Sequence, residues 1–349
     1  LQQYSTFKEG APIRASILIP VHNEEHRIRD LLQSLLQQDY PVMEVVFIDD
    51  RSTDKTPALL LEFKEQFEAL GHRCIIYRLQ ENPGPNYKQY GLGVAYGLAS
   101  GEILLLTDGD CELPKTWVSG MVQRLSDPSI GLLAGPVFKK IPEPSFLYKC
   151  QSYDHIVRDV YMIASMGIGA ASGGFGNNLA VKRAALEAAG GYTAVPRSVT
   201  EDAALISWIH KKTPYRIHAA VGSDVAVMTE AESSWFAFIV QTIRWTKGGL
   251  FSPDIRTKVS FTFLMIVITL GILSLLLLPI VSSLWPLFGA VLVSMVINHS
   301  MVVILAKQEC QKFTIIDILI QLLCMPALNA FLTILCLLRI PVYWKGKRV

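Results

Sequence analysis

Two acidic clusters are the first residues in this chain whose types and spacing could do chemistry. Asp49-Asp50 directly follows the apolar run Glu44–Ile48, and Asp108-Gly-Asp110 follows Glu102–Leu106 with one threonine between. Carboxylates grouped this closely repel one another unless a cation or donor group offsets them. That points to a bound metal and a phosphate-bearing ligand. Acids placed just after a strand also cap the helix that follows, and from the residues alone either cluster fits both roles. The glycine-rich stretch 172–178 (SGGFGNN) would let a ligand approach the backbone closely, or would serve as a plain loop. Gly91-Leu-Gly93-Val-Ala-Tyr-Gly97 has a dinucleotide-type spacing. It follows no apolar strand and lies inside a helical stretch, which argues against a Rossmann phosphate turn.

Such carboxylates need a rigid frame that brings them to one edge. Ser16–Pro20, Glu44–Ile48, Cys74–Tyr77 and Glu102–Leu106 are short apolar runs of strand type. Helical spacing separates them. Ile28, Leu31, Leu32, Leu35 and Leu36 share one face, and further helices are expected over Thr56–Leu70 and from about Lys88 to Ser100. Asn23 is expected to cap the first helix, with Glu24 and Glu25 in its first turn. This alternation predicts an α/β fold with a mostly parallel sheet and helices on both faces. Ligands of open parallel sheets bind beyond the carboxyl ends of the strands, where both acidic clusters fall. Residues from about Leu113 to Tyr215 are less regular.

The last third of the chain has another composition. Of 349 residues 51% are hydrophobic, yet no Asp, Glu, Lys or Arg occurs from Val259 to Ala306. At ~20 residues per crossing this run is too long for one membrane span. Ser282-Ser283 and Pro286 offer a turn, so a helical hairpin over 259–281 and 285–306 is expected. A third apolar stretch, 313–338, carries Asp317, Pro326 and Asn329 and reads as a kinked span or as re-entrant half-helices. Lys307 and Lys312 favour the cytoplasmic side for the connection, and so for the N-terminal domain. The basic end (Arg339, Lys345, Lys347, Arg348) would prefer that side too, which a single third crossing denies it.

The expected organisation is a cytosolic α/β domain over 1–232, an interfacial helix region over 233–258, transmembrane helices over 259–341 and a basic tail over 342–349. The opening LQQYSTFKEG shows no signal-peptide pattern and no initiator Met. A net charge of +2 with no basic block in the soluble part gives no sign of a nucleic-acid partner. The six cysteines (Cys74, Cys111, Cys150, Cys310, Cys324, Cys336) are scattered without a CxxC pair, suggesting neither a zinc site nor a disulfide framework.

Four further features join these hints: His22-Asn-Glu-Glu25, Asp49-Asp50-Arg-Ser-Thr-Asp54, Thr200-Glu201-Asp202 and Gln241-Thr-Ile-Arg244-Trp245, a QxxRW motif. With Asp108-Gly-Asp110 this ordered set resembles the inverting family 2 glycosyltransferases, over roughly residues 14 to 250. Asp-x-Asp and Glu-Asp are common singly; the ordered set ending in QxxRW ahead of apolar spans is specific. The resemblance implies the GT-A nucleotide-diphospho-sugar transferase fold, followed here by transmembrane helices. It implies that Asp50 hydrogen-bonds the uracil of a UDP-sugar, that Asp49 lies near the base or ribose, and that Lys88 sits beside the nucleotide. The family pattern continues with an Asn where this chain has Gly93, so that part of the match is loose.

The same resemblance makes Asp110 a metal ligand, with Asp108 supporting through ribose or water. Hard carboxylate oxygens suit Mg²⁺ or Mn²⁺, which would bridge the donor's phosphates and stabilise the leaving nucleotide diphosphate. Asp202 becomes the general base that takes a proton from the acceptor hydroxyl, with Glu201 beside it. A helix cap for Ala203–His210 is the other reading of Asp202. Gln241, Arg244 and Trp245 share one helix face, with Arg244 implied on the diphosphate and Trp245 as a wall for the acceptor. The aromatic segment Ser233–Val240 suits a helix at the membrane interface. Phe175-Gly-Asn-Asn178 resembles the family's acceptor loop.

The expected activity is therefore a metal-dependent hexosyl transfer from a UDP-sugar to a membrane-associated lipid acceptor, by single displacement. A processive β-polysaccharide synthase is the alternative, although threading a polymer needs a channel of more helices than expected here. The ending Tyr343-Trp-Lys-Gly-Lys-Arg348 is similar to the basic ends of lipid glycosyltransferases such as ceramide glucosyltransferase. A non-catalytic scaffold would not need Asp50, Asp110 and Asp202 together, and a nucleotidyltransferase would not explain QxxRW beside the membrane.

Overall fold

The computed structural model describes residues 13–338, apart from 82, 84–85, 144, 172, 199, 253, 278–279, 309–313, 315–316, 318–319 and 321–323, together with 343–344 and 347–348. Two compact units divide the chain. The first comprises Leu1–Phe138 and Met162–Glu230, the second Lys139–Tyr161 and Ala231–Val349.

The first unit is built on a seven-stranded sheet. Its strands are β1 (Ala15–Val21), β2 (Met43–Asp49), β3 (Arg73–Arg78), β4 (Ile103–Leu106), β6 (Ile130–Ala134), β8 (Leu179–Lys182) and β9 (Arg216–Ala219), in the order β3-β2-β1-β4-β8-β6-β9. Only β8 runs antiparallel to its neighbours, so the expected mostly parallel sheet is borne out. A smaller sheet pairs β5 (Cys111–Glu112), β10 (Val227–Thr229) and β7 (Val137–Lys139).

Helices α1 (Ile28–Leu36), α2 (Thr56–Ala69), α3 (Tyr87–Leu98), α4 (Trp117–Arg124), α6 (Arg183–Ala188) and α7 (Glu201–Lys212) surround the sheet. Strand alternation supplies a core to each face. Ile17, Ile19 and Phe47 pack with Leu31, Leu60 and Trp117, whereas Leu18, Val46 and Ile48 pack with Leu92, Leu205 and Ile209. Strands buried on both faces read as unbroken apolar runs, which is why β1, β2 and β4 were visible in the sequence.

At the far end of the sheet a buried carboxylate staples three segments. Glu44 accepts from Ser16 Oγ at 2.6 Å, from the Ser100 backbone N–H and hydroxyl, and from Arg73 Nη1 at 3.0 Å. Burial works against the charged form of Glu44, but these donors outweigh it and hold the carboxyl below its usual range.

One local expectation is corrected. Asn23 does not cap a helix; α1 begins five residues later, at Ile28. The backbone donors that would open a helix after Asn23 are bound by the neighbouring loop instead. Glu24 N–H donates to Thr56 Oγ1 at 2.8 Å and Glu25 N–H to Asp54 Oδ2 at 3.0 Å. Asn23 adopts left-handed backbone (φ 55°) and its Oδ1 accepts from Thr53 N–H at 2.8 Å.

The second unit contains most of α5 (Phe146–Gly167), with α8 (Trp235–Leu250), α9 (Ile255–Leu277), α10 (Trp285–Gln308) and α11 (Met325–Leu337). Among the described residues two helical segments, Ile255–Ser274 and Trp285–Ala306, are long and apolar enough to cross a membrane. Helix α11 has 13 residues, roughly 20 Å at 1.5 Å per residue, short of a ~30 Å hydrocarbon core. It packs through Leu332 and Cys336 on Val240, Ile243 and Met265 of α8 and α9. Asp317 is tied to Thr314 Oγ1 at 2.6 Å and to Lys149 of α5 at 3.2 Å. Much of the expected third stretch from 313 to 323 lies outside the described residues, as do Lys312 and the side chains of Lys307 and the basic tail.

Candidate active site

The carboxyl ends of β1 and β2 carry the first group of site residues. His22 Nδ1 lies 2.7 Å from Asp50 O, and Asn23 N–H donates to Ser52 Oγ at 3.0 Å, so the two strand-end loops are laced together. Asn23 and Arg51 both hold left-handed backbone, at φ 55° and 61°. Such conformations cost about 1–3 kcal/mol each and persist where the surroundings over-determine them, commonly at ligand sites. Asp49 and Asp50 do different things. Asp49 is 1% exposed, and its Oδ1 accepts from Ser52 N–H at 2.8 Å while Arg78 lies 3.5 Å from Oδ2, so its carboxylate shapes the loop. Asp50 turns towards Arg51, whose Nε and Nη2 both lie 2.9 Å from Oδ1.

The second group gathers beyond β4. Lys88, in the first turn of α3, sends Nζ between two carboxylates: 2.7 and 2.9 Å from the oxygens of Asp108, and 3.0 Å from Glu201 Oε1. Asn86 caps α3 by accepting from Gln89 N–H at 3.1 Å, and its amide donates to Glu201 Oε2 at 3.3 Å and to the Ser198 carbonyl. Gln89 in turn holds the approach to α7, donating to Pro196 O at 3.1 Å and accepting from Ser198 N–H at 3.1 Å. Helix α3 therefore fixes where Glu201 and Asp202 begin α7.

Asp202 is the second residue of α7; the cap position belongs to Thr200. Its Oδ2 accepts from Gly176 N–H at 2.9 Å and its Oδ1 from Ala203 N–H at 2.7 Å. Burial, then the like charge of Glu201, push Asp202 up to about 6, against the pull of Lys88 and the two backbone donors. Burial also raises Asp108, with Lys88 opposing and Asp110 reinforcing the rise. For Lys88 burial favours the neutral amine, yet Asp108 and Glu201 prevail and hold it well above its usual range. Gly176 makes the close approach possible, since a methyl group there would lie 3.2 Å from both Lys88 Nζ and Asp202 Cβ.

Asp110 is less engaged. Arg27 Nη1 is 3.6 Å from its Oδ2, and its side chain keeps 26% of its surface exposed. Among the described residues no group of three or more His, Cys, Asp or Glu is arranged to hold a metal. The donor set is the pair Asp108 and Asp110. Lys88 pairs with Asp108, donating to its Oδ2, while Arg27 stands off Asp110 at 3.6 Å, so Asp110 is the carboxylate more open to a cation. That fits a hard divalent ion that takes its other ligands from substrate phosphates and water.

The first unit thus brings Lys88, Asp108, Glu201 and Asp202 together. In the expected acceptor loop, Asn178 is fully buried and structural: it accepts from Trp117 Nε1 at 2.9 Å and donates to Pro136 O at 2.8 Å and Val225 O at 2.9 Å. Gln241, Arg244 and Trp245 lie on α8 in the second unit. Trp245 packs edge-on to His155, with ring centroids 5.2 Å apart, and lies under the guanidinium of Arg158 at 4.9 Å. Sequence reasoning missed Asn86, Gln89, His155 and Arg158. Asn86 alone carried a readable signal, a cap residue before a helix.

A model of glycosyl transferase family 21 matches residues 4–349. Beta-monoglucosyldiacylglycerol synthase of Synechocystis sp. is 28% identical over 240 residues, 67% of this chain and 47% of the relative. The Nostoc sp. protein of the same name is 27% identical over 252 residues, 71% of this chain and 51% of the relative. The chain thus spans about half the length of these relatives. Among solved structures, a mannosyltransferase from Pyrobaculum calidifontis, in complex with GDP-Man and Mn²⁺, superposes with a TM-score of 0.58. It is 19% identical, covering 93% of this chain and 87% of that one. The GT-A fold expected from the sequence is borne out.

Proposed function

Because this chain belongs to glycosyl transferase family 21, we propose that it transfers a sugar from a UDP-sugar to a hydroxyl of a membrane lipid, with inversion. The observation that carries this is the cluster beyond β4, where Lys88 joins Asp108 to Glu201 and Asp202 follows directly. In this reading Asp202 is the general base. The acceptor oxygen bonds to the anomeric carbon, the bond from that carbon to the diphosphate breaks, and the acceptor proton passes to Asp202. A carboxyl near 6 is mostly ionised at neutral pH yet still holds a proton well enough to relay it.

Lys88 keeps Asp108 and Glu201 in place and supplies positive charge near the donor. Asp110, supported by Asp108, would hold Mg²⁺ or Mn²⁺, which when bound offsets the charge of the leaving diphosphate. The Mn²⁺ in the mannosyltransferase complex supports the use of a divalent ion. Asp50 faces the base, and Asp49 acts through the loop it builds. Arg244 serves the diphosphate and Trp245 the acceptor. The relatives' names favour a lipid acceptor over a processive β-polysaccharide synthase. The two long apolar helices support an integral membrane anchor, and Lys307 and Lys312 after them favour a cytoplasmic catalytic unit.

The test is UDP release from a panel of UDP-sugars, with GDP-Man alongside, in mixed micelles of a total membrane lipid extract, with and without EDTA. Lipid-dependent release that EDTA abolishes is expected. Absence of release from every donor would sink the proposal.

A further inference from the structure

Gln241 is held by residues outside its own helix. Glu232 lies two positions ahead of Ser234, the cap of α8. Its backbone is gripped from both sides by one side chain: Gln151 of α5 donates from Nε2 to Glu232 O at 2.9 Å and accepts from Glu232 N–H at 2.8 Å. Gln151 is fully buried. With its main chain fixed in this way, Glu232 turns its carboxylate to α8, where Oε1 accepts from Gln241 Nε2 at 3.0 Å.

That contact decides which way the Gln241 amide points. An amide side chain fits most pockets in either of two flips, but an ionised carboxylate can only accept. The NH₂ of Gln241 must face Glu232, and its carbonyl oxygen must face away. Gln241 is 8% exposed, and Oε1 is buried with no hydrogen-bond partner among the described residues. A buried acceptor without a donor is costly and calls for one from outside the protein.

We propose that Glu232, locked by Gln151, is a positioning residue that orients the Gln241 amide so that its carbonyl oxygen receives a hydroxyl of the bound substrate. The inference rests on reading Gln241 as part of the substrate-binding set. The hydroxyl belongs to the lipid acceptor or to the donor sugar, and separate KM values tell which.

The experiment uses the full chain in mixed micelles of total membrane lipid extract with its UDP-sugar. Glu232→Ala, Glu232→Gln, Gln241→Ala and the Glu232→Ala/Gln241→Ala double variant are compared. Both alanine variants should raise the same KM about tenfold, the scale of one hydrogen bond. For Glu232→Ala the effect should be larger in KM than in kcat, without a fall in thermal midpoint. Glu232→Gln keeps an acceptor oxygen but permits both flips, so it should fall between wild type and alanine. The double variant should be no worse than either single one, as for residues acting through one contact. If Glu232→Ala leaves both KM values unchanged, lowers only the thermal midpoint, or multiplies independently with Gln241→Ala, the inference fails. If Gln241→Ala itself matches wild type, the reading of QxxRW fails first.

Discussion

Lys88 Nζ stands 2.7 Å from Asp108 and 3.0 Å from Glu201, so one ammonium ties the end of β4 to the first residue of α7. Removing it leaves two carboxylates, with Asp202 beside them, facing a common space without a counter-charge. Lys88→Ala should lower turnover about 10²-fold, the cost of misplacing reacting groups by about an ångström. Lys88→Arg should restore little, because a planar guanidinium cannot replace a compact ammonium between Asp108 and Glu201. Initial rates with saturating lipid check both; wild-type turnover by Lys88→Ala would remove it from the site.

A divalent cation at Asp110 predicts complete dependence on Mg²⁺ or Mn²⁺. EDTA should abolish UDP release and either ion should restore it. Asp110→Asn should weaken UDP-sugar binding in calorimetry. Full activity in excess EDTA would contradict the assignment.

Asp202 sets the pH profile. The base works as a carboxylate, so its active form is lost as pH falls through about 6. The logarithm of kcat should rise with pH, bend near 6 and level off above it. Asp202→Asn should lose about 10²–10⁴-fold in rate while UDP-sugar affinity persists. A flat profile from pH 5 to 8 would leave the base unassigned.

The apolar hairpin predicts a topology. With the catalytic unit cytoplasmic, Ser283→Cys in the turn between α9 and α10 should react with an impermeant thiol reagent from outside intact cells. Asp54→Cys should react only after permeabilisation. Labelling of Asp54→Cys from outside would reverse the orientation.

Glu44 predicts an acid sensitivity of the fold that is separate from catalysis. Its folded pKa is depressed, so its contribution is fully present above the unfolded value of about 4.3 and is lost as pH falls through the folded one. Glu44→Gln should cost about 2 kcal/mol at pH 7, the range for hydrogen bonds to a charged group. The gap in thermal midpoint from wild type should close in acid. A gap that persists unchanged at low pH would show that the charge of Glu44 is not what stabilises.

The α/β frame was legible because it is written locally. Ile17, Leu18 and Ile19 alternate between two cores, and the apolar face of α1 recurs at helical spacing. The insertion of β8 between β4 and β6 was not legible, since it depends on pairing across about seventy residues of irregular sequence. Asp108 and Asp202 were readable as types at strand and helix ends, and the structure puts Lys88 and Glu201 between them. Asp49 and Asp50 are the same letter twice, and only their partners in the fold, Ser52 N–H for one and Arg51 for the other, separate the loop-former from its neighbour. Asn23 was misread because its partner, Thr53, lies thirty positions away. Gln151 and Glu232 are 81 residues apart and belong to no motif.

The sheet order also sets a timetable for synthesis. Strand β9, the last to join the main sheet, ends at Ala219, and α9, the first long apolar helix, starts at Ile255. At about 5–20 residues per second the ribosome covers that interval in roughly 2–7 s. In that window every strand of the main sheet already exists while neither α9 nor α10 has been made. The first unit can therefore close its core before α9 is available to enter a bilayer.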